Sequence, residues 1–264
     1  MRYLLLLIAL MLSAPCVRAQ DGAAWWGVVE AAGSAELWTP ADMTNNQALW
    51  FDMADLDTMW SDTNGTVAAT NGGVCARIDD KSGNGINVYQ NTGAKQPTVT
   101  TGGLLFDGTD DWFESTASFT AQFFLSYVKG GTAKNWMGMF TATTSECILG
   151  GSGDLLPFSG GTVWVNGVTS TTYNANTSFL WGLQRPTASN KERVLGVEYN
   201  SRKSSRAWPG YIGEVLCLTA SPTLEIRNKL EGYLAWKWDK INGDTVLVTG
   251  LPSAHPYKSA APTQ

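Results

Sequence analysis

From Ala48 to Leu218 the chain is a succession of short apolar runs cut by turn residues, about every 10–20 positions. No long stretch escapes this punctuation, so the reading is an all-β sandwich or jelly roll. Strands are expected at Ala48–Asp52, Val74–Ile78, Leu104–Asp107, Asp111–Glu114, Ala121–Lys129, Trp136–Ala142, Glu146–Leu149, Thr162–Val165, Ser178–Leu183, Val194–Tyr199 and Gly210–Leu218. Gly108-Thr109-Asp110 reads as the turn of a hairpin between the third and fourth. The 28 glycines and 12 tryptophans among 264 residues fit tight loops around large packed rings.

One segment departs from the pattern. Ser221 as N-cap and Pro222 in the first turn open a helix, and Ile226, Leu230, Tyr233, Leu234 and Trp238 follow at helical spacing. Asn242-Gly243 ends it. The expected organisation is a secretory signal over residues 1–19, an extension over 20–45, a jelly-roll domain over 46–250 with its helix at 222–240, and a loosely held tail over 251–264. Arg2, the apolar run Leu4–Leu12 and Val17-Arg18-Ala19 carry the signal reading, so the location expected is secreted or surface-exposed, the alternative being a virion. Trp25-Trp26, in the extension, is expected to pack on the domain or on a partner.

Charge narrows the partners. The net charge is −5 and the densest basic patch is Arg202-Lys203 with Arg206, so no nucleic-acid partner is expected. A single histidine, His255, argues against a multi-histidine metal site and against Ser-His or Cys-His catalysis. Past the signal three cysteines remain, Cys75, Cys147 and Cys217, each beside an apolar run. They read as buried small hydrophobes, and no CxxC pair suggests zinc.

Four ordered segments carry a resemblance: LWFDMADLDTM (Leu49–Met59), DDKSGNGIN (Asp79–Asn87), LLFDGTDDWFE (Leu104–Glu114) and YIGEVLCLTASPTLEIRNKLEGYLAWKW (Tyr211–Trp238). LWTPADM (Leu37–Met43) precedes them and LPSAHPYKSAAP (Leu251–Pro262) trails them. Together they resemble the LamG-like domains of the concanavalin A-like lectin/glucanase superfamily, in the version common to bacterial surface proteins and phage tail or virion proteins. The resemblance implies a two-sheet antiparallel jelly roll with a C-terminal helix. It also implies a range of functions, since fold alone does not settle function.

The reading that follows is a non-catalytic, lectin-like module for a carbohydrate or cell-surface glycan, in adhesion or host attachment. The second reading is a structural virion, tail or surface-assembly protein, with other assembly proteins as partners and an oligomer allowed. The third is a polysaccharide hydrolase. A retaining glycosidase needs two carboxyl groups about 5–5.5 Å apart, and on one strand that means alternate acidic residues. No strand offers them, so no catalytic residue is assigned. For metal, Asp80 and Asn84 in the Asp79–Gly85 loop offer hard oxygen ligands suited to Ca²⁺; the other reading of the loop is a turn whose Asp and Asn bond their own backbone. The resemblance adds Glu214 from the later Gly-Glu-Val strand. Asp110, Asp111 and Glu114 form a second acidic turn, more often a solvated one. Trp112, Trp136 and Trp208, with Arg206 from the adjoining polar loop, are the candidate ligand-binding residues, since sugar rings stack on indole faces.

Overall fold

The structure, a computed structural model, describes residues 36–43, 46–131, 137–138, 140–142, 147–149, 155–157, 161–174, 176–197 and 206–264. The expected signal, Trp25-Trp26 and Trp136 lie outside these residues. The chain is mostly β, with antiparallel sheets and a helix near the C-terminus.

Its strands are β1 (Gln47–Asp52), β2 (Met59–Trp60), β3 (Arg77–Ile78), β4 (Val88–Tyr89), β5 (Thr98–Thr100) and β6 (Gly103–Asp107). There follow β7 (Phe113–Ser115), β8 (Phe119–Gly130), β9 (Met137–Gly138), β10 (Phe140–Ala142), β11 (Cys147–Leu149) and β12 (Leu155–Pro157). The last are β13 (Thr162–Val165), β14 (Val168–Thr169), β15 (Ser178–Lys191), β16 (Arg193–Leu195) and β17 (Pro209–Leu218), then helices α1 (Leu224–Asn242) and α2 (Val246–Gly250).

An eight-stranded sheet runs β14-β13-β15-β8-β17-β6-β5, with β1 also on β17. A six-stranded sheet runs β10-β16-β7-β4-β3-β2, and a three-stranded one β12-β11-β9. The two large sheets share one core. Met59, Ile78, Val88, Phe113 and Leu195 of the six-stranded sheet meet Phe124, Val128, Trp181, Ile212, Val215 and Cys217 of the eight-stranded sheet. The other face of the eight-stranded sheet forms a second core, where Phe123, Leu125, Tyr127, Leu216 and Leu218 meet Leu230, Tyr233, Leu234 and Trp238 of α1.

Helix α1 buries the stripe read from its spacing, with Ile226 at its edge. Its cap is corrected: Thr223, not Ser221, is the N-cap and accepts from the Ile226 N–H, so Pro222 lies outside the helix. Gly243 closes it in the left-handed region, at φ 69°. Helix α2 was not expected. Both carboxylate oxygens of Asp239 on α1 cap it, accepting from the N–H groups of Leu247 and Val248.

Two further expectations are corrected. The Gly108-Thr109-Asp110 turn does not close a hairpin, because β6 pairs with β5 and β17 while β7 pairs with β4 and β16. The chain changes sheets there, and Phe106 and Phe113 meet edge to face across the core at 6.2 Å. Nor is the tail over 251–264 loose. Trp38 N–H donates to the Pro262 carbonyl, Gln264 N–H to Glu36 and Trp236 Nε1 to the Tyr257 carbonyl. Residues 36–43 and 251–264 therefore belong to the same compact unit as the sheets. The two cysteine side chains described, Cys75 and Cys217, are free and buried, as expected; burial pushes the Cys75 thiol up to about 12.

Candidate functional site

The six-stranded sheet presents one organised outward face. Its inward residues fill the shared core, so their alternate neighbours point away from it. Register aligns these neighbours in a single row: Trp60 opposite Arg77, Arg77 opposite Tyr89, Tyr89 opposite Glu114, and Glu114 opposite Val194. The first four are half-buried, each keeping an accessible edge. Asp79 holds two of them side by side: Trp60 Nε1 donates to Asp79 Oδ2 at 2.8 Å and Arg77 Nε to Asp79 Oδ1 at 2.6 Å. Val194 ends the open part of the row, and half-buried Trp112 packs on the small cluster it forms with Val197 and Ala207. Strands lie about 4.7–4.9 Å apart, which sets Trp60 and Tyr89 roughly 10 Å from each other.

Directly before Trp112 is an acidic turn. One carboxylate oxygen from each of Asp107, Asp110 and Asp111 lies within 4.8 Å of the others, the one such acidic group among the described residues. Asp107 Oδ1 accepts from the Thr109 and Asp110 N–H groups, and Asp111 Oδ2 accepts from the Asp107 N–H. Burial, reinforced by the charges of Asp107 and Asp110, pushes the Asp111 carboxyl up to about 6. Such a set of hard oxygens can hold a metal ion, without being specific to calcium.

Asp80, Asn84 and Glu214 are placed differently from that expectation. Asp80 Oδ1 accepts from the N–H groups of Trp50 and Ser82, and Oδ2 from Ser82 Oγ and the Ile86 N–H. Asn84 Nδ2 donates to the Gln47 and Ala48 carbonyls. The loop is thus a latch on β1, with both Asp80 oxygens and the Asn84 Nδ2 already engaged.

Glu214 lies beneath α1 instead. A bulge at Gly213 inserts one residue between Ile212 and Glu214 and reverses the alternation of β17. Ile212 faces the shared core, whereas Glu214 faces the helix. Only glycine fits there, since a Cβ would sit 2.4 Å from Tyr127 Cδ1 and 2.7 Å from the Trp238 ring.

Asp52 is paired with Glu214 across β1 and β17. Two carboxylates do therefore converge, from separate strands, where a search along single strands could not see them. Lys237 Nζ bridges them, 2.6 Å from Asp52 Oδ1 and 2.7 Å from Glu214 Oε2, and Tyr233 OH lies 3.0 Å from it. Trp50 Nε1 and Trp238 Nε1 donate to Glu214 at 2.7 and 3.0 Å. Burial alone would raise the Asp52 carboxyl, but Lys237 and Lys81 outweigh it and hold it below the usual range. Burial, with Asp52 adding to it, raises that of Glu214. Both carboxylates are buried under the helix, so the pair faces a lysine rather than a groove.

Of the tryptophans singled out from sequence, Trp112 lies at the end of the outward row. Trp208 is fully buried, with its Nε1 toward the Tyr211 carbonyl at 3.4 Å, and offers no face to a ligand. Arg206 is half-buried beside it. Trp60 and Tyr89 were missed. Each ends a two-residue strand, too short for alternation to register.

Comparison of the chain with protein-family models, with curated proteins and with solved structures finds no match. Among the described residues no helix is long and apolar enough to cross a membrane.

Proposed function

We propose that this chain is a non-catalytic, lectin-like domain of concanavalin A-like, jelly-roll architecture that binds a glycan or cell-surface polymer along the outward face of the six-stranded sheet. The observation that carries the reading is the register-aligned row Trp60–Arg77–Tyr89–Glu114, extended by Trp112. An aromatic face is electronegative and attracts the C–H side of a sugar ring. Arg77 and Glu114 between the rings supply a donor and an acceptor for hydroxyls. Because Asp79 fixes Trp60 and Arg77 in place, little side-chain freedom remains to be lost on binding. The acidic turn beside Trp112 is the place for a hard cation, Ca²⁺ being the candidate, which would steady that end of the row.

A glycan array followed by calorimetry tests this. Trp60→Ala and Tyr89→Ala should each weaken the best ligand by at least about tenfold, about 1.4 kcal/mol. Thermal stability should change little, because both rings lie on an outer face. A flat array, or unchanged affinity in both variants, sinks the reading.

A further inference from the structure

The helix-covered face of the eight-stranded sheet has an uncovered end. Along β8, Phe123, Leu125 and Tyr127 lie in the core beneath α1, and Lys129 is the next residue on that face. The helix stops at Asn242. Beyond it is a cavity of about 230 Å³. Its walls are the Thr100–Gly102 turn, Lys129, Tyr211 opposite it on β17, and Asn242 in the last turn of α1. Its floor is Tyr127, whose hydroxyl accepts from Asn242 Nδ2 at 2.8 Å.

Size and chemistry both restrict an occupant. Drug-sized ligands occupy pockets of roughly 300–1,000 Å³, and a liquid water takes about 30 Å³. The cavity therefore suits a single small ring, not an extended chain. Among the described residues neither the Lys129 ammonium nor the Tyr211 hydroxyl has a hydrogen-bonding or ionic partner. One Asn242 Nδ2 hydrogen goes to Tyr127, and its Oδ1 remains an acceptor. Donors, an acceptor and an aromatic wall are thus grouped at one small opening. The carbonyl end of α1 at Asn242 brings partial negative charge to the cavity, and the charge of Asp244 reaches Tyr127, where it adds to burial in raising the phenol. That balance favours a neutral ligand over an anion.

We propose that this cavity is a second ligand site, taking one neutral sugar ring such as the terminal residue of a glycan. The choice of ligand class rests on the glycan reading of the outward row, but the site is separate from that row. Lys129 donates to ring hydroxyls, Asn242 Oδ1 accepts from one, and Tyr211 lies against the ring.

Gly102 provides a clean way to close the site. A Cβ there would meet Asn242 Oδ1 and Tyr211 Cδ1 at 3.7 Å, ordinary contact, so a larger side chain enters the cavity without straining the turn. Amide chemical shifts should be followed while D-glucose, D-galactose and D-mannose are added separately to the full chain, with sodium acetate and phosphate as anionic controls. The expected result is saturable shifts at Gly102, Lys129 and Tyr211 with at least one sugar, in the millimolar range. Gly102→Leu should weaken that binding at least about tenfold. Tyr211→Phe, which removes one hydroxyl and keeps the ring, should weaken it measurably, while Trp60→Ala leaves it unchanged. No saturable shift with any sugar, or equal binding in Gly102→Leu, overturns the proposal. Shifts with acetate or phosphate and none with sugars overturn it too, since the site would then be anionic. The two readings fail separately: polysaccharide binding lost in Trp60→Ala beside a flat sugar titration removes only the cavity, and the reverse pattern removes only the row.

Discussion

At the scale of single residues, the strongest electrostatic commitment is Lys237, whose ammonium holds two buried carboxylates apart. Burial works against its charge, but Asp52 and Glu214 outweigh that and raise its pKa above the usual lysine value. Lys237→Met would leave two acidic groups facing each other in a dry core. Breaking a buried pair in this way costs about 3–5 kcal/mol, so urea unfolding should show a loss of that order. Adding Asp52→Asn and Glu214→Gln should recover part of it, because the charges go while the indole donors keep an acceptor. A Lys237→Met protein as stable as the parent would show that the network contributes nothing. Asp111 gives a pH prediction. Its carboxyl titrates at about 6 in the fold against 3.8 for the ordinary group. Between these values the folded chain binds more protons than the unfolded one, so stability falls as pH rises from about 4 to about 6. A cation at the turn favours the ionised form, so its uptake should weaken on acidification through the same range. Thermal unfolding at pH 5 and 7, with and without calcium or manganese, should show metal stabilisation only at the higher pH. Asp111→Asn should flatten the apo slope; an unchanged slope would assign it to other groups. The buried network was not open to inspection of the chain. Each residue type was visible, but Asp52 and Glu214 meet only because β1 pairs with β17 and a bulge turns Glu214 toward the helix.

At the scale of elements, α1 is the most readable part and its clamp on the C-terminal segment the least. A 3.6-residue stripe from Ile226 to Trp238 announces itself, whereas hydrogen bonds from a Pro- and Ala-rich tail to residues more than two hundred positions earlier leave no local trace. The contact is close. A Cβ on Gly232 would lie 2.6 Å from Tyr257 Cβ and 2.8 Å from Cγ. Gly232→Ala should therefore overpack the joint and destabilise by about 1–3 kcal/mol, and limited proteolysis should remove the tail faster. In the background of Tyr257→Gly the same change should do little, since both the Cβ and the ring it strikes are gone. Additive effects would place the strain elsewhere. Strands β8 and β17 were legible nearly to their ends because both are apolar over most of their length, whereas of β15 only Ser178–Leu183 was, since Gln184 to Lys191 are polar and carry no apolar pattern. Strands β2, β3 and β4 are two residues each, and two residues cannot display a period of two. Trp60, Arg77 and Tyr89 sit on those strands, so the outward row was hidden for the reason that makes it compact. The acidic turn was visible as residues and misjudged as a hairpin, since Gly108 and Asp110 suit a chain reversal and a change of sheet equally well.

At the scale of the whole molecule, the layers run from the outward row through the six-stranded sheet, the shared core and the eight-stranded sheet to α1 and the cavity at its end. The two proposed sites therefore open on opposite faces of one compact unit, separated by a core in which Phe124, Val128, Trp181 and Phe113 are close-packed. No single glycan segment lying in the row can reach the cavity through that core. If both sites bind, one copy of the chain joins two glycan strands without needing to self-associate. Light scattering should then rise when the protein is mixed with a branched, soluble form of the polysaccharide that the row retains. The rise should pass through a maximum and fall at excess protein, where each chain end finds its own partner. Trp60→Ala should abolish both scattering and retention. Gly102→Leu should abolish scattering while retention on the immobilised polysaccharide persists, because the row alone still holds one strand. Scattering that survives Gly102→Leu would mean that bridging comes from protein association, and the two faces would not act as a pair.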